Sequence, residues 1–219
     1  TNVAIQKTTF KYEIPYMLLI TAVLLVMGMT GNEITFIEGV ILWILFIAYL
    51  LYLYFLAKKG NDSGDEQSVK LYPVWKCLLF IVLGGVCVVI GSQLVVNGAT
   101  TIARACGMSE RFIGLTIVAF GTSLPELVTS VSAARKGNAG IAIGNIVGSN
   151  IFNILFVIGT VALICPVPFE SRFVIDTVVA ILCGVLLWGG TIRHKELRKP
   201  CGVVMLLCYA AYFVYLAAM

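Results

Sequence analysis

The chain has 219 residues, of which 60% are hydrophobic and only 12% are charged, and its mean hydropathy is +1.00. Soluble domains carry about 25% charged residues, so this composition excludes a soluble globular domain. The formal net charge of +4 would suggest an acidic or nucleic-acid partner for a soluble chain, but here the distribution of the charges along the chain is what carries information. We predict an all-α multispanning membrane protein whose surroundings are the lipid bilayer and which has no nucleic-acid partner.

Seven apolar stretches are long enough to cross about 30 Å of hydrocarbon as helices. In chain order these predicted spans are 14–31, 39–57, 77–103, 112–134, 137–169, 173–192 and 200–219. Only the fourth and sixth spans contain a charged residue, Glu126 and Asp176 respectively. Asp176 lies in the first turns of its span, where an acid suits the helix dipole, so we predict a structural role for it. The sequence therefore predicts seven transmembrane helices.

The lysines and arginines are distributed unevenly if the chain crosses the membrane at every span. Three lie on one side: Arg104, Arg111 and Arg172. The other twelve lie on the opposite side: Lys7, Lys11, Lys58, Lys59, Lys70, Lys76, Arg135, Lys136, Arg193, Lys195, Arg198 and Lys199. The positive-inside rule makes the side with twelve charges cytoplasmic, which predicts a multi-pass protein of the cell membrane with residue 1 inside and residue 219 outside. The polar stretch 58–74 is then a cytoplasmic linker.

The second and seventh spans share a short sequence pattern when residue 39 is aligned with residue 202. Gly-Val at 39 matches Gly-Val at 202, Ala-Tyr at 48 matches 211, and Tyr-Leu at 52 matches 215, without a gap. Because these spans cross in opposite directions, the match predicts an inverted-topology repeat, as in many secondary transporters; shared membrane composition is the alternative. On this interpretation residues 75–219 form a complete five-helix repeat. Residues 1–57 hold the last two helices of the other repeat, whose first three helices would precede residue 1.

The fourth span concentrates oxygen-bearing groups around its carboxylate. Thr122, Glu126 and Ser130 follow one another at intervals of four residues, which places them on one helix face. A carboxylate inside a span is costly without partners or a role. Pro125 cannot donate a hydrogen bond to the Gly121 carbonyl, so we expect a kink that exposes backbone oxygens. Carboxylate, hydroxyl and carbonyl oxygens together favour a site for a hard cation.

The fifth span carries a complementary polar stripe. Asn145, Ser149 and Asn153 again follow at intervals of four, and Gly144 and Gly148 would allow a neighbouring helix to approach closely. The alternative interpretation is that these small and polar residues only hold helices together.

The depth of both stripes in the membrane can be predicted from the turn near residues 137–138. Glu126 and Ser149 lie at similar distances before and after this turn, each roughly 17 Å from it along a helix. They should therefore meet near the bilayer midplane, where alternating-access transporters bind their substrates.

Two motifs identify a family. The sequences Gly-Thr-Ser-Leu-Pro-Glu-Leu at 121–127 and Gly-Ser-Asn-Ile-Phe-Asn at 148–153 resemble the second alpha-repeat of the calcium/cation antiporter superfamily and, within it, of the sodium/calcium exchangers. The resemblance is strongest over residues 113–159. It implies a ten-helix fold of two inverted five-helix halves with ions bound between two alpha-repeats, of which this chain would be the C-terminal part. Calcium and sodium would be the transported partners, with no cofactor.

The resemblance also implies roles for individual residues. Glu126 would be the carboxylate that binds calcium and sodium, with oxygens from Thr122 and Ser123 beside it and the Ala119 carbonyl as a sodium ligand. Ser149 and Asn153 would face them from the fifth span. Several family members, including potassium-dependent ones, have Asp at the position of Asn153. The amide leaves the site one charge poorer, which puts potassium co-transport in doubt.

The predicted function is sodium/calcium exchange by alternating access. One carboxylate does not balance the two charges of calcium, so we expect a second acid from the alpha-repeat that would precede residue 1. A calcium/proton antiporter and an inactive fragment that lacks the first alpha-repeat are the alternatives. An enzyme is not expected, because a nucleophile such as Ser123 needs a base, and the only histidine, His194, lies in the loop after the sixth span.

Overall fold

The structure is a computed structural model that describes residues 3–60, 73–108, 110–192 and 196–218. Over these residues the chain is almost entirely helical. The α-helices are α1 (Ile14–Gly31), α2 (Phe36–Gly60), α3 (Val74–Ala105), α4 (Glu110–Ile113), α5 (Ala119–Thr122), α6 (Leu124–Arg135), α7 (Ala139–Phe152), α8 (Gly159–Ile164), α9 (Ser171–Thr191) and α10 (Lys199–Ala218). π-Helical segments at Thr9–Glu13, Gly114–Val118 and Asn153–Ile158 join or precede them. The predicted all-α class is confirmed.

Within the described part of the chain, five helices are long and apolar enough to cross a membrane, and a sixth span results if the bent pair Thr116–Thr122 and Leu124–Arg135 is counted as one. The protein is therefore a multi-pass membrane protein. The seventh predicted span coincides with α10 (20 residues), of which Lys199–Tyr215 is an apolar helical stretch. The seventh crossing and the inverted repeat stay predictions.

The fifth predicted span is wrong at its C-terminal end. The helix stops at Ile164 and Cys165 is extended, with φ −151° and ψ 150°. Pro166 and Pro168 explain the stop, because a proline cannot donate a helical hydrogen bond and disfavours helical backbone in the residue before it. The predicted linker 58–74 cannot be compared in full, since its residues 61–72 lie outside the described ranges.

The chain divides into two compact units, which are described separately. The first unit comprises Thr1–Asp62 and Ser130–Tyr209, and the second unit comprises Ser63–Thr129 and Ala210–Met219. The domain organisation predicted from the repeat, with boundaries at 57/58 and 74/75, stays a prediction.

The first unit has a well-defined apolar core. Here α1 packs against α9 and α7, and α2 packs against α8 and the π-helical segment Asn153–Ile158. Side chains from all these elements contribute, among them the fully buried Ile20, Leu42 and Leu155. At the α2–α8 crossing a Cβ atom on Gly39 would lie 2.9 Å from the Ala162 Cβ and 3.0 Å from the Gly159 carbonyl oxygen. Glycine at position 39 therefore permits this close approach.

Two short antiparallel strand pairs join loops of the first unit. Strand β1 (Val3–Ala4) pairs with β4 (Glu196–Leu197), and β2 (Glu33–Ile34) pairs with β3 (Val167–Pro168). The first pair joins the N-terminal segment to the loop after the sixth predicted span, and the second pair joins the loops after the first and fifth spans. These are loops that the crossing pattern predicts on the same side of the membrane, so the strand pairs agree with that pattern.

The second unit is dominated by α3, which is 32 residues long. It contacts α4, α5 and the π-helical segment Gly114–Val118. At its C-terminal end the Arg104 Nε lies 2.6 Å from Glu110 Oε1, and Arg104 Nη2 lies 2.8 Å from Oε2. This exposed bidentate ion pair ties the end of α3 to the start of α4.

Candidate functional site

The fourth predicted span is broken in its centre. The segments on either side of Ser123 are bent by 50°, and Ser123 has φ −92° and ψ 0°. Pro125 explains the break, because it has no N–H to donate to the Gly121 carbonyl. The predicted kink is confirmed. The single stripe predicted through Thr122, Glu126 and Ser130 is wrong in one respect: Thr122 ends α5, whereas the other two residues belong to α6 beyond the bend.

Glu126 lies in the first turn of α6, immediately after this break. Its side chain is partly buried, and its Oε2 atom is fully buried. The N-terminal turn of a helix carries partial positive charge from its free N–H groups, so an acidic residue suits this position. The sequence therefore folds so that the acid of this span lies at the end of a helix rather than on the side of one.

The predicted oxygen ligands before the break are accessible. Ala119, Thr122 and Ser123 are exposed. The Thr122 hydroxyl donates to the Ala119 carbonyl oxygen at 2.9 Å, which fixes the threonine side chain against its own helix. A carbonyl oxygen has two lone pairs and a donating hydroxyl still accepts, so both oxygens retain the capacity to bind a cation.

The position of α5 depends on a close contact with α3. A Cβ atom at Gly121 would collide with the side chain of Val96, and Gly121 is buried. A larger residue at 121 would push α5 away from α3 and move the adjacent Thr122 and Ser123. This packing role of the first glycine of the 121–127 motif was not predicted, because the sequence does not show which residue lies opposite it.

The second predicted stripe lies in the first unit, on α7. Val147 and Ile151 are fully buried, and they lie about 200° around the helix from Asn145 and Ser149, at 100° per residue. Ser149 is partly buried, and Asn153, which begins a π-helical segment, is exposed. The apolar face of α7 is thus used for packing in its unit, and the predicted polar face lies opposite.

Asn145 has a structural partner. Its Nδ2 donates to the Ser130 Oγ at 3.0 Å, and Ser130 is buried at 6% exposure. The bond links α6 to α7 across the turn at Gly137, whose φ of +79° is left-handed and suits glycine. The turn predicted near residues 137–138 is confirmed, and for Asn145 the helix-holding interpretation describes what the structure shows.

Among the residues with described positions, no group of three or more His, Cys, Asp or Glu side chains comes together. Ala119, Thr122, Ser123 and Glu126 lie along one stretch of the second unit. Ser149 and Asn153 lie in the first unit. His194, the base considered for an enzyme, lies outside the described residues.

π-Helical turns adjoin both motifs and were not predicted. Gly114–Val118 directly precedes α5, and Asn153–Ile158 starts at the last residue of the 148–153 motif. π-Helical turns are rare and occur frequently at functional sites. Hydrophobic periodicity does not distinguish one extra residue in a fully apolar span, so the sequence offers no signal for them.

Comparison with known proteins identifies the family. The profile of the family "Sodium/calcium exchanger protein" matches residues 76–218. The sodium/calcium exchanger MaX1 of Methanosarcina acetivorans is 38% identical over 142 residues, which cover 64% of this chain and 41% of that protein. The inner membrane protein YrbG of Escherichia coli is 30% identical over 219 residues, which cover 92% of this chain and 65% of YrbG.

A solved structure shows the same fold. The sodium-calcium exchanger NCX_Mj, soaked with sodium and strontium, superposes with a TM-score of 0.78 and 30% identity over 98% of this chain and 68% of that one. The chain thus spans about two thirds or less of the length of these relatives. The profile match over most of the chain, carried by the segment that holds both motifs, shows that the chain belongs to the sodium/calcium exchanger family.

Proposed function

We propose that this chain forms part of a secondary active transporter that exchanges sodium for calcium across a membrane by alternating access. The observation that carries the proposal is the acid at the helix break. The carboxylate of Glu126, with its Oε2 buried, follows a 50° bend in an otherwise apolar span. A charged group in a span is expensive and marks an ion pathway in membrane transporters, and broken helices form their binding sites.

We propose Glu126, Thr122, Ser123, the Ala119 carbonyl, Ser149 and Asn153 as the ion ligands. Oxygen from a carboxylate, hydroxyls, an amide and a carbonyl suits calcium, which takes six to eight such ligands. The two lone pairs of the Ala119 oxygen and the exposed hydroxyls of Thr122 and Ser123 support the first part of this set. The resemblance of the 148–153 motif to the family supports Ser149 and Asn153. The single carboxylate balances half of the calcium charge, so we propose that a second acid comes from outside residues 1–219.

The test is calcium uptake by vesicles that contain the intact protein. In Glu126→Gln, sodium-gradient-driven uptake of calcium should fall to the level of vesicles without protein, because the amide keeps the shape of the side chain and removes its charge. Asp176→Asn is the matched control, since it neutralises the other acid within a predicted span, and it should retain uptake. Retained flux in Glu126→Gln would contradict the assignment.

The ion whose gradient drives calcium uptake distinguishes sodium/calcium exchange from calcium/proton antiport. With equal calcium, uptake should follow an imposed sodium gradient and not an imposed pH gradient. A response to the pH gradient alone would favour the proton-coupled alternative, and uptake with neither gradient would indicate a leak.

The orientation is also a proposal. We propose that residue 1 is cytoplasmic in the cell membrane, based on the twelve positive charges on that side. Labelling of single cysteines introduced at Lys7 and Arg172 by an impermeant reagent in intact cells should modify only the second position.

A further inference from the structure

A cavity of about 270 Å³ lies in the first unit, between α2 on one side and the π-helical segment Thr9–Glu13 with the start of α1 on the other. Four tyrosines, Tyr12, Tyr16, Tyr49 and Tyr52, line it together with Glu13, and the lining is almost entirely apolar. The proposed ion ligands do not include any of these residues. The cavity therefore combines four phenol rings with one acid, and this combination decides which ligands it can bind.

The four rings form a continuous row. The centroids of Tyr16 and Tyr49 are 5.5 Å apart with the rings nearly parallel at 10°. Tyr49 and Tyr52 follow at 6.2 Å, and Tyr52 and Tyr12 at 6.1 Å. The row therefore runs from Tyr16 in α1 through two rings of α2 to Tyr12 in the π-helical segment before α1, so that rings from both sides of the cavity border the same space.

The polar atoms of the cavity are not all engaged. The Tyr16 hydroxyl donates to the Leu45 carbonyl oxygen at 2.9 Å. The Tyr52 hydroxyl is buried and has no hydrogen-bond partner among the residues that the structure describes. Buried polar groups are almost always hydrogen-bonded, so a small rotation of the Tyr52 side chain that brings its oxygen to the cavity would let a ligand or water supply the missing bond. The partly buried Glu13 adds one negative charge beside the same cavity.

Aromatic rings with a carboxylate select organic cations. A quaternary or primary ammonium group is attracted by the faces of several rings at once, and a carboxylate on the same wall balances its charge. Binding of anionic groups is disfavoured, since Glu13 and the negative ring faces repel them. A phenol hydroxyl such as that of Tyr52 can accept a bond from a primary ammonium.

The location indicates where the ammonium group comes from. The cavity lies within two turns of the start of the apolar segment Thr9–Gly31, close to the end of the span and therefore to the depth of lipid headgroups. Lys11 lies at its rim, with the Nζ atom 5.3 Å from the centroid of the Tyr12 ring. A zwitterionic phospholipid carries an ammonium and a phosphate next to each other, which matches a tyrosine–glutamate cavity next to an exposed lysine. We propose that this cavity binds the ammonium headgroup of a zwitterionic phospholipid, with Lys11 next to the lipid phosphate.

Native mass spectrometry of the purified intact protein tests this proposal. The protein is incubated with equal amounts of phosphatidylethanolamine, phosphatidylcholine and phosphatidylglycerol of the same acyl chains, and retained lipid is counted. We expect retention of the two ammonium lipids over phosphatidylglycerol. Glu13→Gln and Tyr52→Leu should weaken that preference roughly tenfold, because each removes one attraction for the cation and keeps most of the side-chain volume.

The matched control is Tyr54→Leu, which removes an exposed tyrosine of α2 that does not line the cavity and should leave the preference unchanged. Equal retention of all three lipids, a preference for phosphatidylglycerol, or an equal loss in Tyr54→Leu would overturn the proposal. Binding of free ethanolamine or phosphocholine without retention of either ammonium lipid would overturn the lipid assignment in favour of a small soluble amine. A circular-dichroism melt of each variant shows that the lipid counts come from folded protein.

Discussion

The two units differ in how much of their apolar surface the chain itself covers. In the first unit, the buried share of the most apolar 18-residue stretch is 33% in the first span, 28% in the span that contains α7 and α8, and 11% in the spans of α2 and α9. In the second unit, no residue of the corresponding stretch of α3 is buried, although its mean hydropathy of 2.5 equals the highest among the described spans. The first unit thus packs around a helical core, whereas the apolar side chains of α3 are largely exposed.

This difference shows in which unit contacts within the chain determine the positions of the helices. Contacts between side chains define the helix positions of the first unit. A substitution of one of these side chains therefore changes the packing of its neighbours. The second unit has few buried contacts, and regions of low contact density are the ones that open and move most easily. Glu126, which we propose as an ion ligand, lies in the second unit, where the proposed alternating-access motion would cost little packing.

The largest expected effect comes from emptying the core of the first unit. Leu42→Ala removes a fully buried side chain of α2 and should lower the free energy of unfolding by about 2–5 kcal/mol. Leu94→Ala in α3, where the leucine is 67% exposed, should lower it by less than about 0.5 kcal/mol. Thermal unfolding in nanodiscs, followed by circular dichroism, measures both. Equal shifts would mean that the units are packed alike.

Adding one carbon at the closest helix crossing should have the next largest effect. Gly39→Ala places a methyl group against Ala162 and the Gly159 carbonyl, so α2 and α8 must separate at a cost of about 1–3 kcal/mol. Gly84→Ala is the matched control in α3, because no described atom lies within 4 Å of the added carbon. It should be neutral or raise stability by about 0.5–1 kcal/mol through helix propensity. Destabilisation by both changes would contradict the open environment of α3.

Loss of the hydrogen bond between α6 and α7 should be a smaller effect. Asn145→Ala should cost about 0.6 kcal/mol, which is typical of interhelical side-chain hydrogen bonds in membranes. In a double-mutant cycle Ser130→Ala should add nothing further, since the bond is already gone. Asn150→Ala is the control, because Asn150 Nδ2 donates to the Ile146 carbonyl of its own helix at 2.9 Å. Additive effects of the Asn145 and Ser130 changes would show that the two side chains are uncoupled.

The smallest effect is expected at the exposed ion pair of the second unit. The hydrogen bond from Arg104 lowers the pKa of Glu110 below its ordinary value of 4.5. Since the folded-state pKa is depressed, the pair stabilises the fold above the ordinary pKa, and this contribution is lost as the pH falls through the folded pKa. The melting temperatures of the protein and of Arg104→Gln should therefore differ slightly at pH 7 and converge as the pH is lowered below 4.5. A difference that persists in acid would assign the effect of the substitution to packing.

Local chemistry explains which parts of the fold the sequence predicts. The first span has the predicted bounds 14–31, since the charged Glu13 precedes the apolar run and Asn32, with its left-handed φ of 55°, ends the helix. The break near Pro125 and the turn at Gly137 follow from the backbone chemistry of single residues. The predicted end of the fifth span was wrong because apolar residues continue past Ile164, whereas the prolines at 166 and 168 end the helix there.

Contacts between distant residues could not be predicted from the same patterns. Gly144 and Gly148 were expected to allow a close helix approach, but no described atom lies within 4 Å of a Cβ built on either, and the close approach found in the first unit is that of Gly39 and Gly159. Which glycine faces a neighbour depends on helix rotation, and a span that is apolar all round gives no signal for it. The ligand set around Glu126 stays a prediction for the same reason, since it depends on how elements distant in sequence are arranged.

The π-helical segment Asn153–Ile158 allows one span to pack against two different helices, one before the segment and one after it. Each i→i+5 turn holds one residue more than an α-turn, which changes the angular phase of the following side chains by about 100°. Before the segment α7 contacts α1, and after it α8 contacts α2, where Gly159 meets Gly39. The change of phase that begins at Asn153 thus lets the two halves of one continuous span pack against different helices without a break in the helix.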